Sequence, residues 1–89
     1  MNNEMIAKIK KCLDRLKQKP VKISQNGFIM NQFFMSQLMY KIQDDILNLR
    51  DEVKEVYLSL NLNQVYQVEI SESKLNLFLD NDTQIEISI

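Results

Sequence analysis

The chain has 89 residues, 45% of them hydrophobic and 26% charged. That composition suits one globular domain, near the size at which a core is hard to complete without surface from a partner. It has no histidine, one cysteine (Cys12) and one glycine (Gly27), which excludes histidine acid–base chemistry, zinc sites, disulfides within the chain, and the glycine-rich loops of nucleotide pockets. The net charge of -1 is unevenly spread: residues 1–22 hold seven basic and two acidic side chains (+5), and residues 23–89 hold four basic and ten acidic ones (-6).

The first predicted element is a helix from about residue 3 to 18, with Ile6, Ile9, Leu13 and Leu16 as its apolar stripe and Met5 and Cys12 widening it. Asn2 or Asn3 caps it, Glu4 lies in its first turn, Lys17 and Lys19 lie at its end, and Pro20 stops it. Its basic side offers Lys8, Lys11 and Arg15, with Lys22 just beyond, as phosphate contacts. That side has no aromatic residue for stacking and no recognition-helix motif, so a solvated face is the plainer reading. Cys12 reads as a small buried hydrophobe.

Val21–Met30 reads as a short hairpin turning at Asn26-Gly27, or as one strand followed by a loop. The next segment, Asn31 to about Asn61, reads as one long helix. Met35, Ile42, Leu49 and Val56 fill one seam position, and Met39, Ile46, Val53 and Leu60 fill the other. At 1.5 Å per residue such a helix would be roughly 45 Å long. A compact chain of this size is only about 30 Å across, so the helix must break near Asp44 and Asp45, project, or be covered by another copy. The seam residues Met35, Met39, Ile42, Ile46, Leu49 and Val53 are the expected oligomer interface, although packing within the chain would use the same side chains. The apolar stretch around it, with Phe28, Met30, Phe33, Phe34 and Tyr40, is the expected partner-binding surface.

From residue 66 onward the apolar residues alternate with period two: Tyr66, Val68, Ile70; Leu75, Leu77, Leu79; Ile85, Ile87, Ile89. An antiparallel meander with one wet face follows, turning at Ser71–Lys74 and Asp80–Asp82. Asp80-Asn81-Asp82-Thr83 begins like a calcium loop but lacks its glycine and distal glutamate, and reads as a turn.

The resulting expectation is an α+β fold: N-terminal helix, short hairpin or strand, long central helix, and a C-terminal three-stranded meander under the helices. No apolar run approaches the ~20 residues that span a bilayer, and Glu4, Lys8, Lys10 and Lys11 fall where a secretion signal would be apolar. A cytoplasmic protein with no membrane partner is expected. Asn, Ile and Lys total 28 residues against 2 for Ala and Gly, a bias of AT-rich genes such as those of low-GC bacteria and their phages. No catalytic, metal or cofactor constellation is visible. The functional expectation is a non-enzymatic protein-binding module, such as an adaptor, assembly factor or inhibitor, acting as a homodimer. The alternative is a nucleic-acid-associated regulator using Lys8, Lys11, Arg15 and Lys22.

Overall fold

The computed structural model describes residues 3–28 and 30–89 and measures 31 × 28 × 25 Å along its principal axes. Its one helix among the described residues is α1 (Asn3–Leu16). Eight strands follow: β1 (Val21–Asn26), β2 (Asn31–Met35), β3 (Leu38–Gln43), β4 (Ile46–Asp51), β5 (Tyr57–Asn61), β6 (Val65–Ile70), β7 (Lys74–Leu79) and β8 (Gln84–Ser88). A 3-10 turn, Leu62–Gln64, joins β5 to β6. The chain is mostly β, in two antiparallel sheets of order β2-β1-β8-β7-β6 and β3-β4-β5. The expected α+β architecture with a long, coiled-coil-like central helix is therefore corrected.

Helix α1 buries Ile9, Cys12, Leu13 and Leu16, and its main sheet contacts are with β6 and β7. It stops because Gln18 takes a left-handed conformation (φ 64°) with Pro20 two residues on, a chain reversal that a proline then fixes. The Gln18 N–H donates to Leu38 O at 2.7 Å and the Leu38 N–H to Lys19 O at 3.1 Å, docking the helix end onto the start of β3. Of the two residues proposed as its cap, Asn3 is the first helical residue and Asn2 lies outside the described residues.

The hairpin after Pro20 is wider than its Asn-Gly signal suggests. Gln25 pairs with Asn31, so the returning arm is Asn31–Met35 rather than Phe28–Met30. Ile29 lies outside the described residues. A Cβ at Gly27 would meet Asp82 O at 3.0 Å, so this glycine admits a close approach between two loops.

The seam of residues 35–60 is split between two sheets. Gln43 pairs with Ile46 across a two-residue turn in which Asp44 and Asp45 both have positive φ (53° and 62°), as a primed hairpin turn requires. Met35, Leu49 and Leu60 are buried, and Ile42 and Val56 pack against the core. Met39 and Ile46 lie on the opposite, outward face of the second sheet, and Val53 is 64% exposed in the loop from β4 to β5. Two physical terms decide against the helix. A straight helix of roughly 45 Å exceeds the longest axis of the molecule, 31 Å. Three strands about 4.8 Å apart also cover the apolar face of a meander more completely than one helix about 10 Å wide.

Strands β6, β7 and β8 pair in chain order, and β8 pairs with β1. Leu75, Leu77, Leu79, Ile85 and Ile87 are buried, and they share one core with α1 and with Leu38, Leu47 and Leu49 of the smaller sheet. A register shift between Val65 and Gln67 leaves Val65 buried and turns Tyr66 out to 63% exposure, so Tyr66 is not part of the inward face expected for it. The corner between β2 and β3 is clamped by Asp51. Its Oδ2 accepts from the Ser36 N–H at 2.7 Å, and its Oδ1 accepts from the N–H groups of Val53 at 2.9 Å and Gln37 at 3.2 Å.

Candidate functional site

Strand β2 is an edge: among the described residues β1 is its only strand partner, and its outer side faces no strand. Such an edge carries backbone N–H and C=O groups that another strand can take up, and proteins usually guard it with charge, proline or a bulge. Here no guard is present. Residues 23–40 form a run of 18 without a charged side chain. The other edges differ: β6 carries Glu69 and a bulge, β3 carries Lys41, and β5, also uncharged, presents Ser59 and Asn61 beside Tyr57.

The side chains on and before β2 strengthen the contrast. Phe34 is 67% exposed, and Met30 and Phe28 are exposed in the loop before it. Phe34 stands opposite Lys22 of β1 at the mouth of an open groove of about 460 Å³ lined by Pro20, Val21, Phe34, Met35, Ser88 and Ile89. The lining is mainly apolar, and Ile89 is itself 61% exposed. An exposed Phe and Met beside an uncovered sheet edge are apolar surface of the kind that marks an association site.

The structure distributes the residues singled out from sequence as follows. Of the partner-binding set, Phe28, Met30 and Phe34 are solvent-facing at this edge, whereas Phe33 is half-buried against the core. Tyr40 is half-buried on β3, where its hydroxyl donates to Asp14 Oδ1 at 2.6 Å. Of the oligomer set, Met35 and Leu49 are spent in the core of their own chain, Ile42 packs on it, and Met39, Ile46 and Val53 do not line up with them. The helical basis for that interface is gone. Of the basic set, Lys8, Lys11 and Arg15 are exposed on α1, while Lys22 is half-buried on β1. Lys8 lies 4.0 Å from Glu4, and Arg15 donates to Ser71 O at 3.3 Å.

Two features escaped the sequence reading. The uncharged run 23–40 was a legible signal for an unguarded edge. The grouping of Lys41 and Arg50 on one sheet face was hidden by the helical period. Among the described residues no helix is long and apolar enough to cross a membrane, and no cluster of three or more His, Cys, Asp or Glu side chains offers a metal site. No family model, curated protein or solved structure proved similar enough to this chain to place it in a family.

Proposed function

We propose that the chain is a small non-enzymatic protein-binding module that works by strand addition at β2, its first partner being a second copy of itself. The observation carrying this reading is the open, uncharged β2 edge flanked by exposed Phe34 and Met30. Antiparallel pairing of β2 with β2 about a two-fold axis joins two five-stranded sheets and opposes no like charges, because neither strand has any. Scaffolding or occlusion of a larger protein then proceeds from the paired edge or from the remaining patch.

Magnitudes set the strength. Burying two Phe34 and two Met30 side chains contributes about 1.5–3 kcal/mol each, and association costs about 4–15 kcal/mol. The balance is a concentration-dependent dimer rather than a permanent one. Light scattering behind size exclusion over a hundredfold concentration range tests it. The expected mass rises from 10.6 kDa toward about twice that value, and Phe34→Lys, which places like charges across the axis, holds it at the lower limit. A monomer mass for the unaltered chain at every concentration refutes self-pairing.

A further inference from the structure

The outward face of β3, β4 and β5 is a second uncovered surface, on the sheet that does not contain β2. Its register aligns Met39, Arg50 and Tyr57 in one row, and Lys41, Asn48 and Ser59 in the next. The face has three outward positions per strand, and none is acidic although the chain holds twelve carboxylates. Lys41 and Arg50 are both exposed and, among the described residues, neither makes an ion pair or a side-chain hydrogen bond.

We infer that this face binds single-stranded nucleic acid, holding a phosphate between Arg50 and Lys41 and stacking a base on Tyr57. Lys41 and Arg50 are diagonal neighbours, a relation that puts them about 7–8 Å apart, and together with Met39 and Asn48 they line a depression of about 570 Å³. Asn48 Oδ1 accepts from the Ser59 hydroxyl at 2.6 Å, which leaves the NH₂ as the free donor of that amide. The centre of the face thus offers donors: a guanidinium, an ammonium and an amide. That is the complement of a phosphodiester, whose oxygens only accept. Tyr57, 76% exposed and directly across from Arg50, supplies the aromatic surface that single-strand binders place beside their cations.

The surroundings limit what can bind. Asp44 and Asp45 stand in the turn at one end, and Glu52 and Glu55 in the loop at the other, so a long or rigid polyanion is repelled at both margins. The site takes a few nucleotides of a flexible strand and disfavours a duplex.

The test is titration of the isotope-labelled full chain with eight-nucleotide oligo-thymidine and oligo-uridine strands at 50 mM salt, read by amide chemical shifts and by anisotropy of a labelled strand. Shifts confined to β3–β5 are expected with either strand, and a preference between them reports on the 2′-hydroxyl and the thymine methyl group together. The log–log salt slope should lie near -0.7, the value of about -0.7 per phosphate for the one phosphate held. Lys41→Glu with Arg50→Glu should abolish binding, and Tyr57→Ala should weaken it about tenfold. Lys8→Glu with Lys11→Glu should leave it within about twofold. Shifts on α1 or β2 instead, equal binding of a polyglutamate peptide, or no binding at millimolar protein overturns the assignment. Because the shifts are read on the unaltered chain, a variant that misfolds does not decide the outcome.

Discussion

Tyr40 donates its phenolic hydrogen to Asp14 Oδ1 at 2.6 Å, fastening the edge of the three-stranded sheet to α1. Burial, the hydrogen bond and the negative charge of Asp14 all favour the neutral phenol, pushing its pKa from 10.0 up to about 12. Below pH 10 the phenol is protonated whether the chain is folded or not, and the contact contributes in full. Between pH 10 and about 12 the unfolded phenol ionises first, so stability falls as pH rises. Tyr40→Phe is expected to cost about 1 kcal/mol at neutral pH, the low side for a bond to a charged acceptor because the pair is reachable by solvent. Urea unfolding between pH 8 and 11.5 should show the gap between the two proteins narrowing above pH 10. A constant gap means that the bond is not formed in solution.

Asp51 is the polar residue on which the corner between β2 and β3 depends. Burial opposes its charge, but the N–H groups of Ser36, Val53, Gln37 and Lys54 prevail and hold its carboxyl below the usual range. Asp51→Ala removes the acceptor shared by the backbone donors of both loops and should lower the melting temperature more than truncation of any surface carboxylate, with Asp51→Asn intermediate because it keeps one acceptor. A depressed folded pKa contributes stability that is complete above the ordinary aspartate value of 3.8 and is lost as pH falls below it. Melting curves from pH 7 to 2.5 should therefore show wild type and Asp51→Ala converging only under acid. Parallel curves would assign the stabilisation to packing rather than to the carboxylate.

Cys12 is 1% exposed, and its Sγ lies 3.9 Å from Lys74 O of β7. A thiol so placed reacts only when the chain opens. Its modification by an aromatic disulfide reagent should be slow in buffer, should accelerate with urea in step with unfolding, and should be immediate in denaturant. Cys12→Ala should cost about 1–2 kcal/mol from lost packing. Rapid reaction in buffer would show that α1 detaches from β6 and β7 without global unfolding.

The chain carries its local signals unequally. The stop at Pro20, the α1 stripe of Ile9, Leu13 and Leu16, and the alternation at Leu75–Leu79 and Ile85–Ile87 are readable because each element follows its own period over its whole length. Residues 31–61 are not, because two periods coincide there. Ile42 and Leu49 lie seven apart, which is two helical turns and is also an offset that the two-residue turn at Asp44–Asp45 creates between inward positions of β3 and β4. What breaks the tie is non-local: α1 covers the sheet at β6 and β7, and the rest of the shared core is closed by Leu38, Leu47, Leu49 and Leu60 of residues 31–61. The edge patch was half legible. Phe28, Met30 and Phe34 stood out by their apolar character, whereas the openness of β2 depends on which strand ends the sheet, a fact of topology that no local pattern contains.

Ile46 and Leu49 separate the two periods by experiment. Three residues apart, they share a stripe on a helix, yet on β4 they point to opposite faces: Leu49 is 0% exposed, facing Tyr40 and Leu58, while Ile46 is half-buried on the outer face between Gln43 and Asn61. Leu49→Ala should cost about 2–5 kcal/mol by leaving a cavity, and Leu49→Asp should prevent folding by burying an unpaired charge. Ile46→Asp should cost about 1 kcal/mol, keep the far-ultraviolet spectrum of a β protein, and leave the concentration dependence of the mass unchanged, because Ile46 lies away from the β2 edge. Equal and severe loss of structure at both positions would restore a helical seam. Dissociation caused by Ile46→Asp alone would move the self-association surface from β2 to the outer face of the smaller sheet.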